Sequence, residues 1–276
     1  MFRSLLRLRM IVCAAFLSFT GSMYGQVSPV PQEKDGWKLV WNEEFDYTGL
    51  PDSSKWSYDT DGNASGWGNN EAQFYTIGRK ENAWVSDGML KITALKESME
   101  GKSYTSARLR TKDKGDWLYG RFEIRAKLPT GRGTWPAIWM LSTDWTYGGW
   151  PESGEIDIME NVGYDPDTIV GTVHTLAYNH AINTQKGSRI YCPDSYKVFH
   201  VYVLEWEKDE CRLYLDDQLY FTFKREDSGF AAWPFDKRFH LLLNLAVGGN
   251  WGGKYGIDDS LFPQIYEVDY VRVYQR

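Results

Sequence analysis

Arg121-Phe122-Glu123-Ile124-Arg125-Ala126-Lys127-Leu128 is the stretch that decides the fold class. Phe122, Ile124, Ala126 and Leu128 fall on one parity, and Arg121, Glu123, Arg125 and Lys127 on the other. Successive side chains of a strand point to opposite faces, so this octapeptide predicts a strand with one apolar and one charged face. Tyr104–Lys112 and Ile265–Tyr274 also read as strands. Val198–Trp206 and Arg212–Phe223 read as antiparallel strands, the latter turning near Asp216–Asp217. His240–Val247 is a continuous apolar run, suited to a strand buried on both faces. Helical periodicity is scarce. Many short strands with Gly-rich turns predict an all-β sandwich.

Composition narrows the function. The chain has 276 residues, 42% hydrophobic and 25% charged, which excludes disorder as its main state. Its net charge of -6 is the wrong sign for a nucleic-acid binder. The 13 Trp, 18 Tyr and 13 Phe are an unusual aromatic load. Sugar rings stack their C–H faces on aromatic planes, so a Trp-lined concave face of a sandwich would suit a sugar chain.

At the N-terminus, Arg3, Arg7 and Arg9 precede the apolar run Met10–Phe19, and small residues follow at Gly21, Ser22 and Gly25. That order predicts a secretory signal peptide over residues 1–25. The run is too short to span a bilayer, which takes about 20 residues. Cleavage would remove three of the 31 basic residues and no acids, leaving 28 against 37 and a charge of -9. Residues 26–35 read as a loose polar lead-in, and 36–276 as a single domain. Export would leave Cys192 and Cys211 in an oxidising compartment, either bridged or as two free thiols.

The chemistry concentrates in Gly154-Glu155-Ile156-Asp157-Ile158-Met159-Glu160. In a regular strand Glu155 and Asp157 share a face and Glu160 points away. One extra residue, a β-bulge near Met159, would bring Glu160 back beside them. Crowding three anions is unfavourable, so such a cluster points to metal binding or acid/base work. Two carboxyls about 5–5.5 Å apart suit a retaining glycosidase, one as nucleophile and the other as proton donor. A solvated strand edge with chance acidity is the alternative.

The acidic strand resembles that of glycoside hydrolase family 16 in its bulged form, E-x-D-x-x-E. The resemblance extends to Trp67–Thr76, Tyr104–Lys112, Gly120–Leu141, Gly171–Thr175, Leu243–Gly253 and Val268–Gln275, in order, and covers roughly residues 37 to 275. The laminarinase subgroup, endo-β-1,3-glucanases, is the most similar. It implies a concanavalin A-like β-jelly-roll of two antiparallel sheets, with a substrate cleft across the concave one. By position it implies Glu155 as nucleophile, Asp157 as assisting acid and Glu160 as acid/base. It places His174 beside them and makes Asn69, Asn70 and Arg108 polar cleft residues. It makes Trp135, Trp139, Trp150 and Trp251 sugar platforms. It also implies a structural calcium, far from the chemistry, held by Glu44, the Gly88 carbonyl and Asp269, and no cofactor for catalysis.

The expected partner is therefore β-glucan. The rivals are another polysaccharide of the same family (mixed-linkage β-glucan, agar, porphyran or carrageenan) and a non-catalytic glucan-binding protein. The second conflicts with the presence of both Glu155 and Glu160. A monomer with no membrane span in its mature form is expected, in the periplasm or outside the cell.

Overall fold

The computed structural model describes residues 30–276, so the signal segment and residues 26–29 lie outside the described part. Residues Gln32–Arg276 form one compact unit. Two sheets build it. The first runs in the order Lys186–Tyr191, Asp165–His174, Glu155–Val162, Thr134–Ser142, Phe239–Val247, Arg108–Arg110, Ser57–Tyr58. The second runs Gln218–Lys224, Glu210–Leu215, His200–Trp206, Gly120–Lys127, Gln264–Gln275, Met89–Met99, Lys102–Ser106, Gln73–Tyr75. Only the last pair of the second sheet is parallel among the described pairings. Helix is confined to four short 3-10 turns among the described residues. The expected all-β jelly-roll sandwich is the fold.

The alternation at Arg121–Leu128 has the predicted outcome on its apolar side: Phe122, Ile124, Ala126 and Leu128 are buried in the core. The charged side is not simply solvated. Arg121 and Glu123 are also buried, joined at 2.7 Å, with Arg121 reaching Glu205 and Lys34 reaching Glu123. Residues 33–35 are therefore not loose, because Glu33–Lys34 pairs with Trp37–Lys38.

Tyr104–Lys112 is two strands rather than one. Lys102–Ser106 belongs to the second sheet and Arg108–Arg110 to the first, and the chain passes between them at Ala107. The core parity shifts at the crossing, from Tyr104 to Ala107 and Leu109, which a single period-two strand does not allow. His240–Val247 lies in a central strand whose nine residues are all buried. Leu241, Leu243, Leu245 and Val247 enter the core between the sheets, while Asn244 and Ala246 face the cleft. Each buried Leu contributes about 1.5–3 kcal/mol of apolar burial. Cys192 and Cys211 are both buried free thiols.

Candidate active site

The acidic strand carries the expected bulge. Trp139 pairs with Asp157, but the next position, Ile138, pairs with Met159, so Ile158 is extra. On the other side Asp157 pairs with Thr172 and Glu160 with Val170, leaving Ile158 and Met159 opposite Gly171 alone. Both apolar residues sink into the core, and Glu160 returns to the cleft with Glu155 and Asp157. Gly171 makes room for this. A Cβ there would lie 2.3 Å from the Leu213 side chain and 2.5 Å from the Tyr220 hydroxyl. That hydroxyl crosses from the second sheet and donates to the Ile158 carbonyl at 3.1 Å, satisfying a group the bulge frees.

Each outer carboxylate is held by an indole. Trp150 Nε1 donates to Glu155 Oε2 at 2.8 Å, and Trp135 Nε1 to Glu160 Oε1 at 2.9 Å. His174, paired with Glu155 in register, places Nε2 3.3 Å from Asp157 Oδ2 and 3.9 Å from Glu155 Oε1. Asp157 Oδ2 is buried without hydrogen-bond geometry to any partner, as is His174 Nδ1.

Burial lifts all three carboxyls. Glu155 is pushed up to about 8, by burial first and by the Asp157 charge second, while His174 and the Trp150 N–H pull it down. Glu160 is pushed up to about 7, by burial against the opposing pull of His174 and Trp135. Asp157 stands well above the usual carboxylate range, through burial and the Glu160 charge. The cluster therefore retains protons at neutral pH and titrates as a unit. A carboxyl raised on folding costs no stability while protonated, and costs more as pH rises from its unfolded value of 4.5 toward its folded one. Glu155→Gln cannot ionise. It is expected to melt above the parent at pH 8, with the gap narrowing at pH 5. Scanning calorimetry of both proteins checks this, and equal melting at pH 8 would contradict it.

Glu155 and Glu160 lie where two lobes of one cleft meet, and Asp157 lines the first of them. A lobe of about 350 Å³ carries Trp67, Trp135, Trp139, Trp145 and Trp150, together with Asn69 and Arg108. A second, of about 390 Å³, carries Thr172, His174, Gln185, Arg189 and Trp251. Gly68, Asn69, Trp135, Glu155, Glu160 and His180 line both. Trp251 packs edge-on against Trp135, ring centres 5.5 Å apart.

The family model for glycosyl hydrolases family 16 matches residues 70–272. The chain belongs to that family. It is 56% identical over 246 residues to a β-glucanase of Rhodothermus marinus, covering 87% of this chain and 85% of that protein. The X-ray structure of the Rhodothermus marinus laminarinase superposes with a TM-score of 0.84, at 56% identity, over 87% of this chain and 97% of that one. The laminarinase catalytic domain of Thermotoga maritima gives a TM-score of 0.79, at 41% identity, over 87% and 98%.

In this hydrolase most residues singled out from the sequence do converge on the cleft. Asn70 does not line either lobe. It is exposed, at φ 57°, and its amide bonds Asn250 at 2.8 Å, tying two rim loops together. Arg108 lines the cleft but its charge is already paired. Its Nε bonds Asp59 at 2.9 Å, and its guanidinium lies between Trp67 and Trp139, 4.2 and 4.6 Å from their ring centres. It braces two indoles more than it offers a free charge. Sequence reasoning missed Trp67, Trp145, His180 and Asn244 as wall residues. Asn244 accepts from Trp139 Nε1 at 2.7 Å, and His180 sits 4.8 Å from the Trp150 ring. Trp67 and Asn244 lie inside the family-like segments, which was a usable signal. Trp145 and His180 carry none.

The three calcium candidates meet at one place in the second sheet. Strands Trp37–Glu43 and Met89–Met99 flank one edge of Gln264–Gln275, pairing with Val271–Gln275 and Gln264–Val268. Glu44 and Gly88 therefore abut the gap at Asp269–Tyr270. Both carboxylates serve guanidinium groups there, Glu44 with Arg272 at 3.0 and 2.8 Å and Asp269 with Arg125. The side chains, as placed, do not surround an ion.

Proposed function

We propose that this family 16 hydrolase is an exported, retaining endo-glycosidase of β-1,3-glucan. The observation that carries the reading is the bulge that sets Glu155, Asp157 and Glu160 on one face, at the junction of two tryptophan-bearing lobes. With the shared proton on Asp157, Glu155 is the anion that attacks the anomeric carbon, and the Trp150 N–H steadies it. Glu160 gives its proton to the leaving glycosidic oxygen. In the second half-reaction Glu160 takes a proton from water, and that water's oxygen displaces Glu155 from the sugar. Burial raises the whole cluster, which therefore shares its protons as a unit, and the acid role of Glu160 uses the distribution in which Glu155 is the ionised member.

The substrate reading leans on relatives named laminarinase and β-glucanase. An uncharged glucan also suits a wall of indoles in which the Arg108 charge is spent on Asp59. Lobes on both sides of the carboxyls support internal cleavage. Product analysis on laminarin, mixed-linkage β-glucan, agarose, porphyran and carrageenan tests the reading. A β-1,3 oligosaccharide ladder from laminarin is expected, and products from a galactan alone would overturn the substrate.

Export rests on the basic, apolar, small-residue order of residues 1–25. Among the described residues no helix is long and apolar enough to cross a membrane. A structural calcium would use Gly88 together with Asp269 and Glu44, once these turn from Arg125 and Arg272, and would act on stability alone. Chelation is then expected to lower the melting temperature and leave turnover of folded enzyme unchanged. An unaltered melting curve would remove the ion.

A further inference from the structure

A second cluster lies outside the cleft, where the chain leaves Lys186–Tyr191 in one sheet and enters His200–Trp206 in the other. We propose that Cys192, Asp194 and His200 form a binding site for a zinc-class divalent cation. The three ligand atoms lie within 4.8 Å of one another. Cys192 Sγ is 3.8 Å from Asp194 Oδ1, and His200 Nε2 is 3.1 Å from the same oxygen. A tetrahedral ion with metal–sulfur bonds of about 2.3 Å and metal–nitrogen or –oxygen bonds of about 2.0 Å spaces its ligands about 3.3–3.5 Å apart. The two distances to Asp194 lie within a few tenths of an ångström of these values, and the third, Cys192 Sγ to His200 Nε2, is at most 4.8 Å.

The support behind the ligands points the same way. Asp216, on the turn between Glu210–Leu215 and Gln218–Lys224, accepts from the Val201 N–H with one oxygen. Its other oxygen lies 2.8 Å from His200 Nδ1. A carboxylate on one ring nitrogen fixes the proton there and presents the other nitrogen, Nε2, as a lone-pair donor. The Cys192 thiol is buried and aimed at Asp194, while the Asp194 carboxylate is half exposed, so an ion has a route in. A thiolate, an imidazole and a carboxylate together select zinc or cobalt over calcium or magnesium. Binding would release the thiol proton to solvent. The ion is then held by two anionic ligands and a neutral imidazole, and binding tightens as pH rises. Without an ion the same residues are a histidine bridged to two aspartates, with the thiol making only a long contact to Asp194.

Cobalt titration of chelator-stripped protein separates the two arrangements, because only a thiolate ligand gives a near-ultraviolet sulfur-to-cobalt charge-transfer band. That band is expected to saturate at about one ion per chain, to be displaced by zinc, to persist in Cys211→Ser and to vanish in Cys192→Ser. Asp194→Asn and His200→Gln are expected to weaken binding at least about tenfold. They carry the test if Cys192→Ser does not fold. The catalytic cluster of Glu155, Asp157 and His174 has no thiol, so ions bound there are silent in this band. Absence of the band, its survival in Cys192→Ser, or unchanged affinity in both other variants would overturn the site.

Discussion

Glu155→Gln is expected to lose laminarin hydrolysis by about four orders of magnitude or more, with the fold intact. An amide cannot form the glycosyl ester, and losing a nucleophile that acts as one unit with its acid removes nearly all the catalysis. The shape survives because the amide oxygen can still accept from Trp150 Nε1, now 2.8 Å from Glu155 Oε2. Truncation to Glu155→Ala opens space beside the anomeric carbon. Azide is then expected to restore turnover of substrates with good leaving groups and to give an α-glycosyl azide, the inverted product. Full activity in Glu155→Gln would remove Glu155 from the role. Azide rescue with retained configuration would do the same.

Glu160→Gln is expected to separate substrates by leaving group. On laminarin the departing oxygen is a sugar alkoxide that needs a proton, and general acid assistance is worth about 10²–10⁴-fold. On an activated aryl glucoside kcat/KM should fall far less, because the phenolate leaves unaided. Deglycosylation still lacks its base, so kcat drops with a burst of phenolate and recovers with azide. The variant keeps an acceptor for Trp135 Nε1, so misplacement of that indole does not account for the loss. Equal losses in kcat/KM on both substrates would place the acid elsewhere.

These outcomes depend on features that differ in how plainly the chain displays them. The catalytic strand was legible because its apolar residues keep the core side while its acids do not fit a strict period of two. One inserted residue reconciles both, and Ile158 is that residue. The central strand Phe239–Val247 was legible as an apolar run, yet the emergence of Asn244 in the cleft was not. Two-sided burial hides which face meets a ligand. The division of Tyr104–Lys112 between two sheets is marked only by a parity shift, from Tyr104 to Ala107 and Leu109, too brief a signal in so short a stretch to separate two strands. Arg108 was visible as a cation among apolar neighbours. Its partners Asp59, Trp67 and Trp139 come from three separate segments, so its bracing role exists only in the folded chain. Asn70 shows the limit of positional likeness, because a left-handed backbone at that residue turns its amide toward Asn250.

The central claim is that Glu155 and Glu160 act from opposite faces of the sugar ring, in two successive displacements at the anomeric carbon. Time-resolved proton NMR of laminarin hydrolysis tests it most directly, by reading the anomer released before mutarotation. Two displacements at one carbon predict that new reducing ends form first as the β-anomer. First appearance of the α-anomer would show a single displacement by water and would contradict the nucleophilic role of Glu155.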